Sequence, residues 1–139
     1  MNANNQKSHY EEIHNDYEQH YYDPTSMAYR ERFIYDVIFK GLNLNGKRVA
    51  ELASGSGHNS LAILERFPKA NLSGFDISAK ACESYRKRVN TEAFEIDLTK
   101  PLSADFSTFD YAFIFGGLHH CVSDLETTLK NISNLLKPG

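Results

Sequence analysis

The spacing of apolar residues changes character near Lys47. Upstream, Arg30, Phe33, Ile34, Val37 and Ile38 recur at helical spacing. Asp23-Pro24 starts that helix, with Asp as N-cap and Pro at the first helical position, and Gly41 caps its end. Residues 1–9 are polar and predicted to fray. Tyr10 to Tyr22 is crowded with tyrosines, histidines and carboxylates. Its helix signal is weak, because Asn and Tyr are only middling helix formers.

Downstream, short apolar runs alternate with amphipathic stretches. The turn signal Asn45-Gly46 precedes a first strand, RVAEL (Arg48 to Leu52). A Gly/Ser stretch follows, then a helix over Asn59–Phe67 that Pro68 ends. A second strand runs from Asn71 to Phe75, with Asp76 at its end. Ser78 caps a helix carrying Ala79, Cys82, Tyr85 and Val89 on one face. A third strand spans Glu92–Ile96, with Asp97 at its end. A loop containing Pro101 leads to a fourth, DYAFIF, almost wholly apolar as a buried parallel strand should be. Gly116-Gly117 and His119-His120 follow. Ser123 is the expected cap of a last helix, whose Leu125, Leu129, Ile132 and Leu136 form one apolar stripe. Strands alternating with helices predict an α/β fold, with a mostly parallel sheet and right-handed crossovers.

The 139 residues suffice for one domain with a real core, and 41% hydrophobic against 24% charged is a globular balance. A net charge of −3 leaves no electrostatic footprint for nucleic acid or an anionic membrane. Two cysteines, Cys82 and Cys121, are too few for a disulfide scaffold and suit a reducing compartment. The polar start lacks the apolar core of a signal peptide, and no apolar run spans a bilayer. These features predict a soluble, cytoplasmic protein.

In a parallel sheet, ligands sit beyond the carboxyl ends of the strands. Here the first strand ends in Glu51-Leu52-Ala53-Ser54-Gly55-Ser56-Gly57. A glycine-rich turn lets a ligand approach the backbone, but only two glycines of the dinucleotide fingerprint are present and no GK[ST] follows. Glu51 would repel a pyrophosphate and suits a ligand carrying an ammonium group. Asp76 can accept two hydrogen bonds from ribose hydroxyls. Asp97 can accept one from an adenine amine. Together the three acids describe a ligand with an amine, a ribose diol and an adenine, and no phosphate.

As an ordered set, VAELASGSG, LSGFDIS, FEIDL, FDYAFIFGGLHHC and LLKPG resemble the motifs of class I S-adenosylmethionine-dependent methyltransferases of the small-molecule type. The resemblance runs from about Lys47 to Gly139. It implies a Rossmann-like sheet of order 3-2-1-4 in the part present. Residues 46–139 would form the S-adenosylmethionine-binding domain, and residues 1–45 an N-terminal helical cap or lid. Glu51 would bind the methionine amine, directly or through water, and Ala53, Gly55 and Gly57 would form the loop under the ligand. Asp76 would hold the ribose, Ile77 would pack on the adenine, and Asp97 would accept from its amine near the backbone of Leu98. The Phe115 carbonyl would meet the methionine amine, and Arg30 its carboxylate. Tyr17, Tyr21, Tyr22 and Tyr29 would belong to the lid, where aromatic faces attract a sulfonium.

The sequence departs from the family pattern at two places. Ala53 stands where the family has its first glycine, which predicts φ below zero there. The chain also stops where the family turns into a fifth strand. The fourth strand, uncharged from Tyr111 to Phe115, is therefore expected to be an open edge. A further C-terminal segment, a partner, a second copy of the chain or the N-terminal segment is expected to cover it.

Other readings stay open. His119 or His120 is either a general base facing a small-molecule acceptor or a polar loop residue. A metal site at His119, His120 and Cys121 is disfavoured, because adjacent side chains diverge and no fourth ligand is evident. Asp76 can also cap the next helix, and Asp97 can be a turn residue. Two rival functions remain: a truncated cofactor-binding or interaction module without catalysis, and a nicotinamide-dependent oxidoreductase, against which Glu51 argues.

Overall fold

Four parallel strands form one sheet in the order β3-β2-β1-β4. The computed structural model describes residues 3–103 and 108–139. In chain order the elements are α1 (Ala3–Tyr21), α2 (Pro24–Arg30), a π-helical turn (Glu31–Tyr35), α3 (Asp36–Ile38) and β1 (Arg48–Leu52). Then come α4 (His58–Arg66), β2 (Asn71–Asp76), α5 (Ala79–Val89), β3 (Ala93–Glu95), β4 (Tyr111–Ile114), a 3-10 segment (Leu118–Asp124) and α6 (Leu125–Leu135).

β1 lies inside the sheet. Glu51 pairs in register with Gly74 of β2 on one side and Phe113 of β4 on the other. Val49 to Leu52 are all buried, because helices cover both faces. One face packs Val49 with Tyr35, Phe39, Ile63, Cys82 and Tyr85. The other packs Ala50 and Leu52 with Phe75, Leu98, Phe109 and Leu135. β4 is an edge of the sheet, half-exposed along its length, as its position in the order requires.

Four local expectations are corrected. First, the N-terminal segment is a helix from residue 3 onward. Its composition alone does not sustain a helix, and contacts with the domain supply what propensity lacks. Lys7 pairs with Glu95, Lys80 donates to the Glu11 carbonyl at 2.8 Å, and Glu18 meets His58 at 2.8 Å. Second, Phe33 and Val37 are exposed, and Tyr35 and Phe39 are buried instead. The π-helical turn inserts an extra residue into that stretch and shifts the phase of the faces that follow. Third, Asp124 caps α6 in place of Ser123, accepting from the Thr127 amide at 2.9 Å. Fourth, Leu125 and Leu129 of the expected buried stripe face solvent, while Thr128, Asn131 and Leu135 face inward. Asn131 decides this rotation by donating to the carbonyls of Leu98 and Lys100, both at 2.8 Å.

The expected start at Asp23-Pro24 is observed, with the Asp23 carboxylate accepting from the Thr25 and Ser26 amides. Among the described residues, no helix is long and apolar enough to cross a membrane, and both cysteines are free and buried.

Candidate functional site

The loop after β1 is shaped by backbone conformation. Ala53, Gly55 and Gly57 all take positive φ, at 49°, 54° and 92°. The expectation of negative φ at Ala53 is therefore wrong. An L-residue pays about 1 kcal/mol or more for this region. The turn requires it, because the Ser54 amide donates to the Phe75 carbonyl at 3.1 Å and the Gly57 amide returns to the Ser54 carbonyl at 3.2 Å. The Ala53 methyl also needs room, which Gly117 leaves: a Cβ at Gly117 would overlap it.

Asp76 closes the same turn from the neighbouring strand. Its Oδ2 accepts from the Gly55 amide and its Oδ1 from the Ser78 amide, both at 2.9 Å. One carboxylate thus ties the loop after β1 to the loop after β2. It remains only partly buried, and so does Ile77 beside it. Asp97 makes the turn that was its plainer reading. Its Oδ1 accepts from the Thr99 amide at 2.9 Å and hydroxyl at 2.6 Å, and Oδ2 lies 3.7 Å from Lys100 Nζ. It also lines a cavity of about 460 Å³ with Phe94, Ile96, Lys100 and Leu102. The Leu98 side chain is buried in the core.

Glu51 is fully buried beneath the glycine loop. It accepts from Asn59 Nδ2 at 2.9 Å and from the Ser60 hydroxyl. Each donor is backed by a tyrosine: Tyr35 donates to Asn59 Oδ1 at 2.5 Å, and the Tyr85 hydroxyl lies 2.7 Å from Ser60 Oγ. Burial pushes the carboxyl up to about 7 from its ordinary 4.5, against hydrogen bonds from Ser60 and Asn59, and the nearby Asp76 charge pushes the same way. The folded value exceeds the unfolded one. Its stabilising effect is thus complete below pH 4.5 and is lost as pH rises through about 7. That difference corresponds to about 3 kcal/mol. Urea unfolding from acid to neutral pH is expected to show this loss in the ligand-free wild type. Glu51→Gln is expected to lack it; equal pH slopes for the two proteins would refute the assignment.

The remaining candidates lie at the end of β4 and in the N-terminal region. Phe115, at the end of β4, meets Tyr35 edge-on at 5.9 Å and stacks with Phe113. Arg30 lies over the Tyr22 ring at 5.0 Å, and Tyr22 stacks on His58 at 3.9 Å. Tyr29 and Tyr21 are exposed; Tyr29 packs on Phe33 and Tyr21 on His20. The side chain of Tyr17 lies outside the described residues. α1 packs against both α5 and the 3-10 segment, and Glu18 reaches Ser56, His58 and Arg88 at the glycine loop.

His119 and His120 sit exposed on the 3-10 segment. Their rings do not diverge as expected but lie 3.8 Å apart, tilted by 42°. Burial, and then the neighbouring His119, hold His120 below the usual histidine value. Among the described residues, no group of three or more His, Cys, Asp or Glu side chains is placed to hold a metal ion.

The sequence reading missed Tyr35, Asn59, Ser60 and Tyr85 as partners of Glu51. Polar residues in the first turn of a helix read as capping residues, and a tyrosine on an apolar face reads as core. Only a carboxylate at the strand end, directly under that turn, hints that they share one network.

The residues at the strand ends fit a cationic, phosphate-free nucleoside. Below the loop lies a buried carboxylate with no cation within ion-pair distance among the described residues. At its rim lies a partly exposed carboxylate, Asp76.

The comparisons agree with that fit. The methyltransferase-domain family matches residues 49–139. The ubiquinone/menaquinone biosynthesis C-methyltransferase UbiE of Desulfotalea psychrophila is 29% identical over 117 residues, covering 82% of this chain and 47% of the relative. Among solved structures, StiE O-MT superposes with a TM-score of 0.69 at 23% identity, over 84% of this chain and 45% of that one. Phosphoethanolamine N-methyltransferase 2 of Haemonchus contortus was solved with phosphomonomethylethanolamine and S-adenosylhomocysteine. It gives 0.64 at 20% identity, over 88% of this chain and 33% of that one. The chain thus spans about half or less of the length of these relatives. With the matched segment covering the sheet and every strand-end loop, the chain belongs to the methyltransferase-domain family, in its class I S-adenosylmethionine-dependent group.

Proposed function

We propose that this chain binds S-adenosylmethionine at the carboxyl ends of β1, β2 and β3 and serves methyl transfer to a small-molecule acceptor. The observation that carries the reading is Asp76, which holds the glycine loop by the Gly55 amide while standing partly exposed at the end of β2. A carboxylate at the end of the second parallel strand, beside the glycine loop, is placed to accept a ribose diol. Ile77 supplies an apolar wall for the adenine, and Asp97 with the Leu98 backbone its polar edge. The Phe115 carbonyl and Arg30 flank the amino-acid end. Residues 1–45 act as the lid, Tyr17 and Tyr29 included.

When bound, S-adenosylmethionine supplies an activated methyl group on a sulfonium. The chain's own residues then contribute orientation, which reaches roughly 7–11 kcal/mol in well-aligned systems. The test is calorimetry with S-adenosylhomocysteine and NAD. Micromolar binding of the first and none of the second supports the reading; preference for NAD overturns it.

The role of the histidines is a separate expectation. If one of them serves the acceptor, His119→Ala or His120→Ala lowers turnover about 100-fold, a usual size for general acid–base contributions. Cofactor affinity then stays unchanged. Full turnover in both variants makes the pair structural. Binding without turnover, in the wild type and against a broad acceptor panel, favours the rival reading of a cofactor-binding module.

A further inference from the structure

Glu51 has an unusual electrostatic setting. It faces Tyr35 from the π-helical turn, Asn59 and Ser60 from α4, Asp76 from β2, and Tyr85 from α5. In the sheet it is flanked by Gly74 and Phe113. Both tyrosine hydroxyls are held neutral by burial. Arg30 of α2 stands beside the Tyr35 hydroxyl, one residue removed from Glu51; the charged side chain acting on Glu51 itself is another carboxylate, Asp76. No lysine, arginine or histidine pairs with Glu51 among the described residues. A buried carboxylate in such a place favours its protonated form.

We infer that a ligand bringing an ammonium group over the loop from Ala53 to Gly57 expels a proton from Glu51 to solvent, so that cofactor binding is coupled to pH. This rests on the S-adenosylmethionine reading above. The ammonium supplies a counter-charge that no described side chain gives Glu51 directly. A cation within about 4–6 Å favours the carboxylate over the acid. The proton leaves from the side of Ser60, whose hydroxyl accepts from the acid and donates to the carboxylate, while Asn59 Nδ2 donates in both states and Tyr35 and Tyr85 hold the two residues in place. Asn59 and Ser60 are thus positioning residues, serving either protonation state.

The consequence is a pH-dependent affinity. Below the folded-state value of about 7 the ligand must displace a proton, so affinity rises with pH. The slope is expected to approach tenfold per pH unit well below that value and to flatten above it.

Isothermal titration with S-adenosylhomocysteine, in buffers of different ionisation enthalpy, tests this from about pH 6 to about pH 8.5. The comparison ligand is 5′-methylthioadenosine, which keeps the adenosine and the thioether but has no amine. Proton release near one per ligand at the acid end, fading at the alkaline end and absent with 5′-methylthioadenosine, is the expected result. Glu51→Gln is expected to bind without that release. Because this variant can fail to fold, the wild-type comparison of the two ligands stands alone as a test. Binding of S-adenosylhomocysteine without proton exchange overturns the inference and leaves the cofactor reading intact, as does equal release with 5′-methylthioadenosine or persistence of the release in folded Glu51→Gln. Failure of both nucleosides to bind overturns the cofactor reading as well.

Discussion

Gly57→Ala is expected to destabilise the protein by about 2–5 kcal/mol, the sum of two separable costs. The first is conformational. Gly57 has φ 92° and immediately precedes α4, where its backbone turns the chain from the loop into the helix. An L-residue held in left-handed backbone loses roughly 1–2 kcal/mol. The second is steric. An added Cβ would overlap the Val89 side chain and stand 3.0 Å from the Tyr85 ring. Overpacking of this kind costs about 1–3 kcal/mol. Gly46→Ala separates the two. Gly46 also has positive φ, at 74°, but a Cβ there meets nothing within 4 Å. It is expected to show the conformational cost alone. Urea unfolding of both variants gives the comparison, and equal losses would show that packing against α5 does not matter at Gly57. Tyr85 also stands behind Ser60 and Glu51, so Gly57→Ala is further expected to weaken cofactor binding.

Asp76→Ala is expected to lower affinity for S-adenosylhomocysteine on the order of 100-fold. Hydrogen bonds to a charged acceptor are worth about 1.5–3 kcal/mol each, and a ribose diol makes two. The full sum is an upper bound, since water replaces part of what is lost. The same substitution frees the Gly55 and Ser78 amides, which now donate to Asp76 at 2.9 Å. The loop after β1 therefore loosens as well. Asp76→Asn distinguishes the effects, because its remaining carbonyl oxygen accepts from one amide while the charge is gone. Calorimetry on both variants, with circular dichroism to show that the sheet persists, is the measurement. Normal affinity in Asp76→Ala would remove Asp76 from the ribose site.

Much of the fold was legible because its signals are local. The alternation of apolar runs with amphipathic stretches predicted β1, α4, β2 and α5 almost to the residue, and Asp23-Pro24 announced α2. The strand order followed from the family resemblance, and the loops at the carboxyl ends followed from parallel topology. What failed depended on distant partners. Residues 1–9 were expected to fray and Tyr10 to Tyr22 gave only a weak helix signal, because polar residues do not hold a helix alone; α1 is held by Glu95, Lys80 and His58, up to 88 positions away. The apolar stripe of α6 was read as buried, but Asn131 reaches the carbonyls of Leu98 and Lys100 and turns the helix so that Leu129 is 51% exposed.

The candidate site divides along the same line. Residue types at strand ends are a sequence property, so Glu51, Asp76, Asp97 and the glycines between could be named from their order along the chain. Their conformations and protonation are not. Ala53 adopts positive φ because the turn to Gly57 is closed by bonds to Phe75 and Asp76, and it fits because Gly117, 64 positions later by their numbers, has no side chain. Glu51 reads in the sequence as a charged strand-end residue. Only packing buries it under the loop, beside Asn59, Ser60 and their two tyrosines, with no cation at hand among the described residues. Sequence alone determined which chemical groups stand at the ends of the strands, because period and order are written locally. Tertiary structure alone decided their burial and charge state, because desolvation is set by whatever the rest of the chain packs around a group.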